Sequence, residues 1–370
     1  MILLLGLPSA SRGIGASCQS GYNPGPETML RITKGSGALP YSQEKKLAAS
    51  TVVQAAALCR AVQQEALLEA MEKGDRSPVT VADYGSQALI CQQLAAAFPQ
   101  DPIVAEEDSG ALRRPSSKVQ LAQVVRHVRR FLPDASSERV CAWIDAGRGC
   151  VAQRFWTLDP IDGTKGFMRR EQYAIALALI EHGQVQVAAL GCPALPMKWQ
   201  GTSSDVGTLF VAVRGQGAAM AALGNANSVP IHVAQGDDPS RLRLVESVEE
   251  AHGNAALQEA VARSVGIRQP ALRLDSQAKY GVLARGEAAL YLRLPSPDSR
   301  RYGEKIWDHA AGALIVEEAG GRVTDMRGRT LDLATNETMR ANRGVVASNG
   351  TLHGAVLRAL AEPNDAGNVT

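Results

Sequence analysis

The chain has 370 residues, 45% apolar and 21% charged, enough for one large α/β unit or for two domains sharing a cleft. Thirty-nine Lys and Arg stand against 37 Asp and Glu, and the resulting formal charge of +2 excludes bulk attraction to nucleic acid while allowing a local basic pocket for a small anion. Six scattered cysteines lack the paired spacings of a zinc site and are too dilute for a disulfide scaffold, and no stretch reaches the ~20 apolar residues of a membrane span.

In chain order, residues 1–40 form a leader rich in Gly, Ser and Pro, in which Arg12, Arg31 and Lys34 face only Glu27. This composition resembles an organelle transit segment, implying a chloroplast or mitochondrion; without such a role the protein is cytoplasmic. The apolar run from Ile2 to Leu7 is too short, and lacks the preceding charge, for a secretory signal. Apolar residues at helical spacing (Ala48, Val52, Ala55, Cys59, Val62, Ala66) predict a helix over 42–71, ended by Gly74-Asp75. A short extended piece after Pro78 leads to a helix over 83–98, where Asp83 alone reads as an N-cap. Ile103-Val104-Ala105 is a brief strand running into Glu106-Glu107-Asp108. A helix over 119–132 and an irregular stretch precede a strand at 155–158 that enters Asp159-Pro160-Ile161-Asp162-Gly163-Thr164. Strands follow at 173–181 and 185–191, then a Gly-rich loop excursion at 201–228. Beyond it come a strand at 242–246, helices at 254–265 and 276–285, and a strand at 288–294. A helix at 308–319, strands at 321–325 and 344–347 and a helix at 350–361 close the chain. The alternation predicts an α/β (α+β layered) sandwich, αβαβα, in two lobes, 41–200 and 201–370, with a cleft between them where an active site would lie.

The Asp159 to Thr164 string carries the strongest chemical signal. Two carboxylates three residues apart straddle a Pro-initiated turn at a strand end, so both can point into one small volume, and hard oxygen ligands suit Mg²⁺. Gly163 lets backbone pass close to a ligand. Glu106 and Glu107 at another strand end, and Asp308 between Trp307 and His309, read singly as a solvated turn and an N-cap. Four acids, Glu106, Asp159, Asp162 and Asp308, gathered at element ends would repel one another without a cation among them.

These segments resemble the lithium-sensitive, magnesium-dependent phosphatase superfamily of inositol monophosphatase. The superfamily resemblance rests on Ala105 to Asp108, Asp159 to Thr164 and Trp307-Asp308-His309-Ala310-Ala311-Gly312. Within it, Ser77 to Tyr84, Lys165-Gly166-Phe167, Asp275-Ser276-Gln277-Ala278-Lys279-Tyr280 and Tyr291-Leu292-Arg293 resemble the 3'(2'),5'-bisphosphate nucleotidases. The resemblance runs from about Ser42 to Leu360 and implies two or three Mg²⁺ ions held by Glu106, Asp159, Asp162, Asp308 and the carbonyl of Ile161. It further implies that Asp83 and Thr164 orient and deprotonate the attacking water, and that His252, Ser276, Lys279, Arg293, Thr164 and Asp308 contact substrate. The implied substrate is a small bisphosphorylated nucleotide, 3'-phosphoadenosine 5'-phosphate or its 5'-phosphosulfate relative, with no nucleic acid or membrane partner. Lys279 and Arg293 would clamp the phosphate that stays on the product. The chain departs from the family's pattern at Ala255-Ala256, where a second His is common, and at Arg170, where Gly is more usual. An inositol phosphatase using the same cluster, and a non-catalytic nucleotide sensor, are the alternatives.

Overall fold

The computed structural model describes residues 39–65, 71–72, 78–198, 206–236, 238–249, 254–295 and 303–361. Residues 1–38 of the leader lie outside them. Helix α1 (Ser42–Gln64) is followed by a two-strand ribbon of β1 (Met71–Glu72) and β2 (Pro78–Val79), then α2 (Val81–Ala97) and β3 (Ile103–Ala105). Helices α3 (Lys118–Val128) and α4 (Ser137–Asp145) precede β4 (Arg154–Asp162) and the short α5 (Thr164–Met168). Strands β5 (Ala174–Glu181), β6 (Gln184–Pro196), β7 (Val206–Val213), β8 (Ala218–Ala222), β9 (Val229–Pro230) and β10 (Leu244–Glu246) come next. They lead to α6 (Ala255–Ser264), β11 (Leu272–Arg273), α7 (Ala278–Ala284) and β12 (Leu290–Arg293). A 3-10 turn at Ile306–Asp308 opens onto α8 (Ala310–Glu318), and β13 (Arg322–Thr324), β14 (Val345–Ser348) and α9 (His353–Ala361) complete the chain.

Two sheets and three helical layers give the expected αβαβα order. The seven-stranded sheet runs β3-β4-β5-β6-β7-β8-β9, parallel only between β3 and β4. The five-stranded sheet runs β11-β10-β12-β14-β13. Strand β5 shows how alternation sorts the layers. Ile175, Leu177 and Leu179 join the core under α1 and α2, whereas Ala174, Ala176 and Ala178 face α7 and α8. The other face of the five-stranded sheet buries Leu290, Leu292 and Val346 against Val261 of α6 and Val356 of α9.

Small residues let the middle layer sit close. A Cβ on Gly281 would stand 2.5 Å from the Phe210 ring, and one on Gly312 would collide with the Tyr280 ring. Gly312→Ala is therefore expected to cost about 1–3 kcal/mol by overpacking, read as a lower melting temperature, because neither ring has room to retreat.

Several boundaries differ from the sequence reading. Helix α1 stops at Gln64, because Glu65 turns extended (φ −75°, ψ 137°) and its carboxylate meets Arg126, His127 and Arg130. The 201–228 segment is not a loop excursion where it is described: β7 and β8 extend the large sheet, and Gly215 and Gly217, both at positive φ, form the connection between them while Gly207 lies within β7. The irregular stretch before residue 150 contains α4, capped by Ser136, whose Oγ accepts from the Arg139 N–H at 3.2 Å. Helix α2 begins at Val81, two residues earlier than expected, with Thr80 and not Asp83 as its N-cap.

Candidate active site

Parallel pairing of β3 with β4 sets Ala105 opposite Leu158, so Glu106, just past the end of β3, stands beside Asp159 of β4. The loop after β3 is fixed from behind by Gln87 of α2, which is fully buried. Its Nε2 donates to the Glu107 carbonyl at 2.6 Å and its Oε1 accepts from the Glu107 N–H at 3.0 Å. The register of β4 against β5 shifts between Asp159 and Asp162, an irregularity that turns both carboxylates toward one side. The Ile161 N–H donates to Asp159 Oδ1 at 3.1 Å, the local hydrogen bond of an Asx turn.

Gly163, at φ 86°, turns the chain into α5, and a Cβ there would stand 3.0 Å from the Ser276 Cβ. Ser276 itself is left-handed at φ 65°, an unusual conformation for a non-glycine and one held here by its neighbours. The next N–H, of Gln277, donates to Asp162 Oδ2 at 2.5 Å. The Gln277 side chain donates to the Trp307 carbonyl at 2.8 Å and accepts from the Gly312 N–H at 3.1 Å. One glutamine thus ties the end of β4 to the turn that presents Asp308.

Glu106, Asp159, Ile161, Asp162, Thr164, Ser276, Lys279, Arg293 and Asp308 all line one cavity of about 380 Å³. Asp83 stands behind it, 1% exposed. Its Oδ2 accepts from the Thr80 N–H at 2.8 Å and the Thr80 hydroxyl at 2.6 Å, while Thr80 Oγ accepts from the Ala82 N–H, a capping box. The other carboxylate oxygen faces Thr164, whose hydroxyl lies 3.2 Å away. His252 lies outside the described residues.

Burial, reinforced by Glu106, Asp162 and Asp308, pushes the Asp159 carboxyl well above the usual range. Burial raises Asp162 and Asp308 as well, against the pull of Arg293 on both and of Lys279 on Asp162. Lys279, 3% exposed, is brought down to about 8 by desolvation, with Asp162 and Asp275 opposing that fall. Its Nζ donates to the Leu274 carbonyl at 3.3 Å and lies 5.4 Å from the Tyr291 ring centre. Acids of one sign around the buried Asp159, all offering oxygen, fit a hard divalent cation. Lys279 and Arg293 line the same cavity, near enough to pull on Asp162 and, for Arg293, on Asp308, and fit an anion.

The model of the inositol monophosphatase family matches residues 42–364, nearly the whole described chain. The chain belongs to that family. Among curated relatives, a 3'(2'),5'-bisphosphate nucleotidase of Oryza sativa is 42% identical over 340 residues, covering 87% of this chain and 94% of the relative. A protein of the same name from Schizosaccharomyces pombe is 40% identical over 341 residues, covering 87% and 96%. A solved IMPase/NADP phosphatase complexed with NADP and Ca²⁺ shares the family fold, with a TM-score of 0.59 at 19% identity over 90% of this chain and 99% of that one. Family membership accounts for the order of the acidic motifs along the chain.

Sequence reasoning gave no role to Gln87, Gln277 or Glu304, nor to Arg169 beside the cavity wall. Arg169 reaches Glu171, Glu249 and Asp275, each at 2.6 Å, and Lys165 meets Glu249 at 3.3 Å. Arg170, the departure from the family's glycine, adopts φ 61° and donates to the Gln63 carbonyl at 3.1 Å, away from the cavity lining. No helix among the described residues is long and apolar enough to cross a membrane.

Proposed function

We propose that this protein is a magnesium-dependent 3'(2'),5'-bisphosphate nucleotidase that removes the 3'-phosphate of 3'-phosphoadenosine 5'-phosphate, and of its 5'-phosphosulfate relative, by attack of water. The observation that carries the reading is the meeting, in one cavity, of an all-oxygen acidic cluster with two cations, Lys279 and Arg293: the acids suit a cation-assisted scissile phosphate, the cations a second anionic group. The names of the curated relatives point to the same substrate class.

Glu106, Asp159, Asp162, Asp308 and the Ile161 carbonyl would hold the metal. Bound there, Mg²⁺ supplies charge to offset the phosphate and to acidify water. The chain's own contribution to proton movement is the Thr164–Asp83 pair. If the Thr164 hydroxyl donates to Asp83 Oδ1, its lone pairs face the cavity and can accept a proton from water, with Asp83 anchored by Thr80 as the final acceptor. Because that help is needed only as the water attacks, Thr164→Ala is expected to lower kcat by roughly 10²-fold or more while KM moves only a few-fold. A variant with reduced affinity and full kcat would contradict the role.

Ser276, Lys279 and Arg293 would hold the nucleotide, with His252 and Asp308 completing the contacts. The test is a comparison of kcat/KM for 3'-phosphoadenosine 5'-phosphate, its phosphosulfate relative and inositol 1-phosphate, all with Mg²⁺. The bisphosphate is expected to lead inositol 1-phosphate by about tenfold or more, one charge-assisted contact being worth roughly 1.5–3 kcal/mol. Equal values, or a lead for inositol 1-phosphate, would favour the inositol phosphatase reading.

A further inference from the structure

Behind the basic wall of the cavity runs a buried polar chain. The Arg293 Nε donates to Glu304 Oε1 at 2.7 Å. Glu304 Oε2 lies 3.3 Å from His309 Nε2, and His309 Nδ1 lies 2.7 Å from the Tyr280 hydroxyl. Glu304 is 6% exposed, and His309 and Tyr280 1% each. The Glu304–His309 contact is ionic in distance but out of line for a hydrogen bond, so His309 Nε2 is a buried nitrogen with no hydrogen-bond partner, held beside a carboxylate. The backbone around Glu304 is pinned: its carbonyl accepts from the Met339 N–H at 2.8 Å, and Lys305 bridges Thr338. The members of this chain adjoin residues of the cavity in sequence, Tyr280 following Lys279 and His309 following Asp308.

From these contacts we infer that Glu304, backed by His309, is a positioning residue: it fixes the Arg293 guanidinium against the cavity and so sets the affinity for the phosphate that the product keeps. A guanidinium held through Nε has its plane and its fork of terminal nitrogens set in direction, and a planar fork recognises phosphate only when correctly aimed. An arginine anchored to a buried carboxylate also keeps its side chain ordered before ligand arrives, which removes an entropy cost from binding. Glu304, Asp308 and His309 bring their ligand atoms within 4.8 Å of one another, so a cation site is the competing reading. Against it, the Glu304 carboxylate already faces the Arg293 cation at 2.7 Å.

The inference rests on the proposed nucleotide reading, and a binding cycle separates the two. Adenosine 5'-monophosphate, which carries only the retained phosphate, is titrated calorimetrically with Mg²⁺ into the full chain as wild type, Glu304→Gln, Arg293→Lys and the double variant. Melting temperature and bound-metal stoichiometry are recorded for each. Glu304→Gln is expected to raise Kd about tenfold in the wild-type background, with a matching rise in KM and a smaller change in kcat, and less than about twofold in the Arg293→Lys background, since coupled residues are non-additive. Equal losses in both backgrounds, an unchanged Kd, or a loss of bound metal with Kd intact would overturn the positioning role. Should Glu304→Gln not fold, His309→Gln must weaken binding in the same direction and lose its effect beside Arg293→Lys. If the wild type fails to bind the nucleotide, the nucleotide reading falls; the same cycle is then run with inorganic phosphate, which the aimed guanidinium must still distinguish.

Discussion

Asp159→Asn is expected to lower kcat by about 10³-fold or more, because the lost ligand would weaken both the charge on the scissile phosphate and the activation of water, together worth several kcal/mol of barrier. The same change should leave the metal-free protein at least as stable as the wild type. Asp159 is 2% exposed, and burial together with Glu106, Asp162 and Asp308 pushes its carboxyl well above its ordinary range. A carboxyl raised in the folded state binds protons there that the unfolded chain has already released. The contribution of Asp159 to metal-free stability therefore falls as pH rises from about 4 upward through its folded value, and the asparagine removes that contribution, so the wild type should lose stability relative to the variant over this range. Thermal melts in chelator across this range, compared with melts in Mg²⁺, check both halves: the wild type gains more from Mg²⁺ than the variant does. A variant within about threefold of wild-type turnover, a difference well under 1 kcal/mol, would remove Asp159 from the metal cluster.

Lys279→Met is expected to lower the ratio of kcat/KM for 3'-phosphoadenosine 5'-phosphate to that for a simple monophosphate by roughly one to two decades, the worth of one charge-assisted contact. The lysine is buried beside Asp162 and Asp275 and across from Arg293, and burial lowers it to about 8. In the free enzyme it therefore loses its proton, and with it its grip on a phosphate, as pH rises through that value. An alkaline fall in kcat/KM for the bisphosphate near pH 8, absent from Lys279→Met, is the second signature. If both substrates decline together in the variant, Lys279 acts on the scissile phosphate or on the fold, and the clamp must be withdrawn.

The acids were legible because they sit in short strings at or near element ends, where hydrophobic alternation stops and charge begins, whereas Lys279 and Arg293 were legible only through the family resemblance of the segments that hold them. The supports behind them were not. Gln87 reads as one more polar residue of an apolar helix, yet it holds the loop of Glu107 from both sides. Glu304 lies eleven residues from Arg293 with nothing local to pair them, and their contact exists only because β12 and the 303–305 segment meet in the fold. Asp83 was misread locally for a physical reason: Thr80 and Asp83 are both good capping residues, and the reciprocal arrangement puts Thr80 at the N-cap and Asp83 at the third helical position. That shift frees Asp83 Oδ1 to face Thr164. Composition misled over 201–228, where Gly207 within β7 and the glycines after it hid the apolar run of Leu209, Phe210, Val211, Ala212 and Val213. The signal for α4 was present in Ser136, a good cap, followed by Val140, Cys141 and Ile144 on one buried face.

The most direct test of the central claim is the identity of the products formed from 3'-phosphoadenosine 5'-phosphate, resolved by phosphorus NMR in the presence of Mg²⁺ and again after chelation. The account predicts adenosine 5'-monophosphate and inorganic phosphate as the products with Mg²⁺, and no reaction once the metal is removed. Formation of adenosine 3'-monophosphate, or phosphate release undiminished by the chelator, would contradict it.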